Sequence, residues 1–129
     1  MELTESKEDY LETIYKICKE EKVARVKSIA KQLNVSLASV NYAVNILTEA
    51  GLLKHKKYGY IELTESGGKI GREVLRKHHT IRDFLINGLG VDEKTADEEA
   101  CRIEHDISNH TLERIISFMK SKNKERKSR

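Results

Sequence analysis

The sequence predicts a mainly helical protein that carries one short β-hairpin. Three observations lead to this fold class. Apolar residues recur at helical spacing through most of the 129 residues. Proline, the strongest helix breaker, is absent. An alternating apolar and polar stretch surrounds one turn, Tyr58-Gly59, as in a hairpin. The length suits one ordinary domain or two small ones.

The N-terminal half shows clear helix starts and stops. Ser6 is the expected N-cap of a first helix that ends near Glu21, with Asp9 as its capping-box partner. A second helix is predicted over residues 27–33. Asn34 suits the turn that follows, because asparagine tolerates the left-handed region. A third helix then runs to about Ala50, with Ser36 as its N-cap and Gly51 as its stop.

The remaining elements follow from the same signals. The hairpin strands are predicted at residues 52–57 and 60–64, and a long helix at 65–87 is broken by Gly88 and Gly90. Asp92 caps a helix that reaches about Ile107, and Ser108 caps the last helix, which ends near Lys120. The basic residues 121–129 are predicted to form a disordered tail.

Composition restricts the class of protein. Hydrophobic residues make up 38% of the chain and charged residues 35%. No stretch approaches the roughly 20 apolar residues of a membrane span, and the N-terminus has no apolar signal-peptide core. Two cysteines do not form a disulfide framework. We therefore expect a cytoplasmic protein with reduced thiols and no membrane contact.

The order helix, helix, turn, helix, hairpin over residues 1–70 is that of a winged helix-turn-helix domain. Residues 25–66 hold six basic and three acidic side chains, which suits a polyanion such as DNA. Polar and small side chains on the third helix could reach base edges, and lysines on the wing could contact phosphates. A helical packing unit without a DNA role is the simpler alternative. The candidate DNA-binding residues are Ser36, Ala38, Ser39, Asn41, Tyr42, Lys56 and Lys57.

Three potential metal ligands share one face of the predicted helix that begins after Asp92. Cys101, Glu104 and His105 are three and four residues apart, and thiolate, carboxylate and imidazole all bind divalent transition metals. Spacing alone favours a simpler interpretation, in which Cys101 is a small buried residue beside surface polar groups. His78 lies in an apolar stripe of the preceding helix, where histidines are usually core residues.

Three motifs resemble the diphtheria-toxin-repressor family, which includes iron-dependent repressors and manganese transport regulators. They are KEDYLETIY, RKHHTIRDFL and EEACRIEH, and the similarity extends from about Ser6 to Lys120. The resemblance implies a homodimer that binds an operator in double-stranded DNA and represses transcription when Mn²⁺ or Fe²⁺ is bound. It also implies that residues 71–120 form a helical domain for metal binding and dimerisation.

The resemblance implies a ligand set that mixes the two branches of the family. Asp9 and Glu12 match the manganese branch, and Cys101 matches the iron branch. Asp97 is only a possible additional ligand, and Arg82 stands where the iron branch has a glutamate. Three residues match the ligands of both branches: His78, Glu104 and His105.

The ligand types favour Mn²⁺, with Fe²⁺ as the next choice because of the Cys101 thiol, while Zn²⁺ and other divalent ions could bind in vitro. A metal-independent regulator that senses oxidants through Cys101 is the main alternative. An enzyme is not expected, although Cys101-Arg-Ile-Glu-His105 is one residue away from the H-x-x-E-H zinc-peptidase pattern. No small-molecule substrate is expected either.

Overall fold

The computed structural model describes residues 3–56 and 59–127. The chain falls into two compact units, Met1–Val74 and Leu75–Arg129. The sequence predicted a domain boundary after residue 70. The structure has the predicted class, mainly helical with one small antiparallel sheet. Within the described ranges, no helix is both long enough and apolar enough to cross a membrane.

The first helix, α1 (Glu5–Glu21), begins earlier than the sequence indicated. Thr4 is its N-cap, and the Thr4 Oγ1 atom accepts a hydrogen bond from the Lys7 amide at 3.3 Å. The prediction of Ser6 as the cap was therefore wrong. Thr4 has the extended backbone that a cap requires, whereas Ser6 already lies inside the first helical turn. The end at Glu21 is as predicted.

The helix-turn-helix consists of α2 (Val26–Leu33) and α3 (Leu37–Glu49). Asn34 adopts the left-handed conformation, with φ 55° and ψ 49°, and ends α2 as predicted. Ser36 caps α3, because its Oγ atom accepts a hydrogen bond from the Ser39 amide at 3.1 Å. These short-range contacts set the angle at which the chain enters α3.

The sheet has three antiparallel strands in the order β1-β3-β2. The predicted hairpin is present as β2 (Leu53–His55) and β3 (Tyr60–Leu63). Lys57, the predicted end of the first strand, and Tyr58 of the predicted turn lie outside the described part of the chain. The sequence did not predict β1 (Ala24–Arg25), because two residues are too short for an alternating pattern. By pairing with β3, β1 adds an edge strand to the sheet of the wing.

One continuous core holds the first unit together. Its fully buried side chains come from α1, α2 and α3 and from the strands β1 and β3. They include Leu11, Ile14, Ile29, Val40, Val44, Leu47 and Ile61.

The second unit is helical and has a smaller core. The helix α4 (Glu65–Asp83) begins in the first unit, continues into the second, and passes into a π-helical turn at Phe84–Gly88. The helices α5 (Glu93–Ile103) and α6 (Asn109–Lys127) complete it. Asp92 and Ser108 cap these two helices, as predicted. The buried apolar centre is formed by Ile81, Ala100 and Leu112.

Two helix ends differ from the prediction. α5 ends at Ile103 rather than Ile107, because the chain turns before the Ser108 cap of the next helix. α6 continues through residue 127, although the sequence predicted a disordered tail from residue 121. Neither glycine nor proline interrupts α6. Lys122 Nζ also donates to the carbonyls of Asn87 and Gly88, at 3.2 and 3.1 Å.

Candidate metal centre

Three ligand-type side chains of the second unit converge. The Nδ1 atom of His78, on α4, lies 3.0 Å from Oε2 of Glu104 and 3.7 Å from Sγ of Cys101. Each residue offers one potential ligand atom, and these three atoms lie within 4.8 Å of one another. An imidazole, a thiol and a carboxylate at this separation can bind one transition-metal ion.

Burial of Glu104 makes the cluster unusual. Only 1% of the residue is exposed, and its Oε1 atom accepts no hydrogen bond from any described residue. The Nε2 atom of His105 lies 3.5 Å from that oxygen. A buried carboxylate oxygen without a hydrogen bond is costly, and a cation would stabilise it. The donor set and this unsatisfied oxygen therefore fit a bound divalent ion.

The cluster differs from the sequence interpretation in two respects. Cys101 is exposed, so it is not the small buried residue of the simpler alternative. Glu104 and His105 lie just beyond α5 rather than inside it. The Glu104 amide still donates to the Ala100 carbonyl at 3.0 Å, so the chain keeps a helical course there. For this reason Cys101 and Glu104 still point towards the same partner, His78.

A second layer of charged groups lies behind His78. The Nε2 atom of His78 is 3.8 Å from Oδ1 of Asp97 on α5. That oxygen accepts a hydrogen bond from Arg82 Nε, and Arg82 Nη2 donates to Glu93 Oε1 at 2.7 Å. The hydrogen bond to Asp97 is the main reason that the pKa of Arg82 is raised. This network could not be predicted from local sequence patterns, because its partners lie up to 19 positions apart.

The other two predicted ligands belong to the first unit. Asp9 is half-buried and Glu12 is buried, both on α1. Lys16 Nζ lies 3.9 Å from Glu12 Oε1, one helical turn away. Of the six predicted ligands, Asp9 and Glu12 therefore lie in the first unit, and His78, Cys101, Glu104 and His105 lie in the second.

The predicted DNA-reading residues occupy the exposed side of α3. Val40, Val44 and Leu47 are fully buried on its opposite side. Tyr42 is 71% exposed. On the wing, Lys56 is exposed and its Nζ lies 3.7 Å from Glu62 Oε2, while Lys57 is outside the described residues. The other exposed candidates are Ser36, Ala38, Ser39 and Asn41.

The fold and the site together define a class of protein. The first unit is a winged helix-turn-helix, and the second is a helical unit in which a buried carboxylate, a histidine and a cysteine meet. This is the arrangement of a DNA-binding protein with a candidate metal centre. Comparison with known proteins agrees. Residues 2–61 match the N-terminal DNA-binding domain of iron-dependent repressors. Residues 64–126 match the metal-binding and dimerisation domain of the same proteins. The chain belongs to this family of metal-dependent transcriptional repressors, as its motifs indicated.

Individual relatives are transcriptional regulators. The chain is 42% identical over 118 residues to an uncharacterised helix-turn-helix regulator of Methanocaldococcus jannaschii, covering 91% of this chain and 94% of that protein. It is 38% identical over 112 residues to the regulator MntR of Shouchella clausii, covering 87% and 78%. The structure of the manganese regulator SloR superimposes with a TM-score of 0.80 at 32% identity. The match covers 92% of this chain but 55% of SloR, so this chain spans about half of that structure.

These matches decide between the functional alternatives. The family is not one of enzymes, so the partial zinc-peptidase pattern has no catalytic meaning here. The metal-independent alternative, which relied on oxidation of Cys101, is not favoured, because the matching C-terminal domain is a metal-binding one.

Proposed function

We propose that this chain is a homodimeric repressor that binds its operator when Mn²⁺ or Fe²⁺ occupies the centre around Glu104. The observation that carries the proposal is the convergence of His78, Cys101 and Glu104 within 4.8 Å. The family membership supplies the context, since the matching domains bind DNA and metal and form dimers.

The proposed ligands come from both units. His78, Cys101, Glu104 and His105 belong to the second unit, and their donor atoms suit a divalent transition metal. Asp9 and Glu12 of α1 are proposed to complete the set, and this part rests on the family resemblance. A ligand set shared between the units would tie the DNA-binding domain to the dimerisation domain. It would thereby raise the population of the DNA-competent arrangement.

Mn²⁺ is the favoured ion. Three carboxylates and two imidazoles outnumber one thiol, and hard ions prefer oxygen and nitrogen ligands. The similar protein SloR is a manganese regulator, which is consistent with this preference. The exposed thiol of Cys101 keeps Fe²⁺ as the second choice. Zn²⁺ could bind tightly yet activate poorly if four ligands satisfied it and α1 stayed unattached.

The proposed DNA contacts divide into two kinds. On α3, Asn41 and Tyr42 would read base edges, with Ser36, Ala38 and Ser39 close to the backbone. On the wing, Lys56 and Lys57 would contact phosphates, which strengthens binding without selecting sequence. A homodimer would place two α3 helices on an operator with two related half-sites.

The test is a DNA-binding titration of the purified protein with selected operator DNA. The DNA affinity is measured in a chelator and then in an excess of each metal in turn: Mn²⁺, Fe²⁺ and Zn²⁺. The Fe²⁺ titration is done under anaerobic conditions. We expect Mn²⁺ to raise the affinity at least tenfold, which corresponds to about 1.4 kcal/mol. Equal affinities with and without metal would overturn the proposal. Activation by Zn²⁺ alone would overturn the preference for Mn²⁺.

A further inference from the structure

We infer that Asp97 is a positioning residue for His78: its carboxylate, held in place by Arg82, favours the tautomer with the proton on Nε2 and leaves Nδ1 as the ligand atom. The inference deepens the proposed function and rests on it, because it assigns a role to a residue outside the ligand set.

The two nitrogens of His78 face different partners. Nδ1 faces the cluster, at 3.0 Å from Glu104 Oε2 and 3.7 Å from Cys101 Sγ. Nε2 faces Asp97 Oδ1 at 3.8 Å. A neutral imidazole has one proton and one lone pair, so a nitrogen that binds metal leaves the proton on the other nitrogen. With Nδ1 as the ligand, the proton points towards Asp97.

Arg82 keeps the Asp97 carboxylate in reach of His78. The Asp97 side chain is 51% exposed, so by itself it would move between rotamers. The guanidinium of Arg82 donates from Nε to Asp97 and from Nη2 to Glu93. Glu93 and Asp97 are one helical turn apart on α5, and a rigid two-pronged donor on α4 can hold both.

The same contacts argue against Asp97 as a metal ligand. Its Oδ1 atom already accepts a hydrogen bond from a permanently charged guanidinium. A second cation at that oxygen would be repelled by Arg82. A carboxylate beside the free N–H group of a metal-bound histidine instead makes the imidazole a more basic and better oriented ligand.

The test compares Asp97→Ala with Glu98→Ala in the full chain, with Zn²⁺ as a diamagnetic probe. Both substitutions remove one exposed carboxylate from α5 and change the net charge equally. Calorimetric titration should show Zn²⁺ affinity at least tenfold weaker in Asp97→Ala, and less than twofold changed in Glu98→Ala. Asp97→Asn, whose amide oxygen can still accept a hydrogen bond, should recover part of the affinity. Melting curves in a chelator verify that the variants are folded.

Nitrogen-15 spectra of the Zn²⁺-loaded protein give a second readout. In wild type, His78 should carry its proton on Nε2, and that proton should exchange with water faster in Asp97→Ala. Equal Zn²⁺ affinity in the two alanine variants, or a proton on Nδ1, would overturn the role of Asp97 but not the proposed metal centre. A wild-type protein that binds no Zn²⁺ would overturn both the inference and the proposed metal centre.

Discussion

The Nδ1 atom of His78 lies 3.0 Å from Oε2 of Glu104, although 26 positions separate the two residues. Glu104 is almost wholly buried, and its second oxygen accepts no hydrogen bond from any residue that the structure describes. A carboxylate is stable in such a place when a cation or a proton balances it. This pair is therefore the centre of the proposed site.

Replacement of Glu104 by glutamine should separate metal binding from folding. The amide has nearly the same shape but no charge, so we expect loss of the Mn²⁺ response. The free energy of unfolding in a chelator should change by no more than about 1 kcal/mol. DNA affinity with and without Mn²⁺, together with urea unfolding, measures both effects. Glu98→Gln is the matched control on α5 and should leave both unchanged. A Glu104→Gln protein that still responds fully to Mn²⁺ would remove this residue from the ligand set.

Replacement of Cys101 by glutamate should alter metal selectivity. The change replaces the one soft donor of the proposed ligand set, the Cys101 Sγ atom 3.7 Å from His78 Nδ1, with a hard carboxylate. Cys101 is exposed, so the larger side chain has room. We expect Mn²⁺ activation to persist and the responses to Fe²⁺ and Zn²⁺ to weaken. Titration of DNA binding with each metal tests this.

The control for this experiment is Cys18→Ala, which removes the other thiol of the chain. Cys18 is half-buried, and burial raises the pKa of its thiol, so it is a poor ligand at neutral pH. The Cys18→Ala substitution should therefore leave metal selectivity unchanged. If Cys101→Glu abolishes Mn²⁺ activation, the thiolate is essential and the preference for the manganese branch is wrong.

Side chains of α3 and of the wing should affect DNA binding differently. Asn41→Ala and Tyr42→Ala should reduce the preference for operator over random DNA, because base contacts carry sequence information. Lys56→Ala should weaken binding to all sequences and reduce the salt slope by about one. Lys69→Ala removes the same charge from α4, outside the wing, and serves as the control. Unchanged specificity in both α3 variants would show that another surface reads the operator.

Two adjacent glycines of α4 should respond oppositely to alanine. A Cβ atom at Gly67 would lie 2.0 Å from the Leu52 carbonyl oxygen, a backbone atom that cannot move easily. A Cβ atom at Gly68 meets nothing within 4 Å. We expect Gly67→Ala to destabilise the protein by about 2–3 kcal/mol. Gly68→Ala should stabilise it by roughly 0.5–1 kcal/mol, because alanine is the better helix former. Urea unfolding in a chelator measures both, and equal stabilities would contradict the packing of α4 against Leu52.

The helix-turn-helix could be predicted from sequence because its signals are local. Asn34 and Ser36 act on neighbouring amides, and the buried positions of α3 follow a simple helical period. The motif resemblance likewise led to the family that the comparisons show. Local signals were misleading at the start of α1, where Thr4 is the N-cap and the predicted cap, Ser6, lies in the first turn.

Tertiary structure decided what depends on contacts between distant residues. The strand β1 exists through its pairing with β3, and α6 continues past Lys120, where Lys122 binds carbonyl groups at the end of the π-helical turn. In the same way, spacing placed Cys101 and Glu104 on one face, but only the packing of α4 beside α5 brings His78 to them. The same packing of α4 beside α5 brings Asp97 Oδ1 close to His78 Nε2. Hydrogen bonds and caps within one helical turn are encoded by adjacent residues, whereas a site built from two helices depends on how their buried faces fit together.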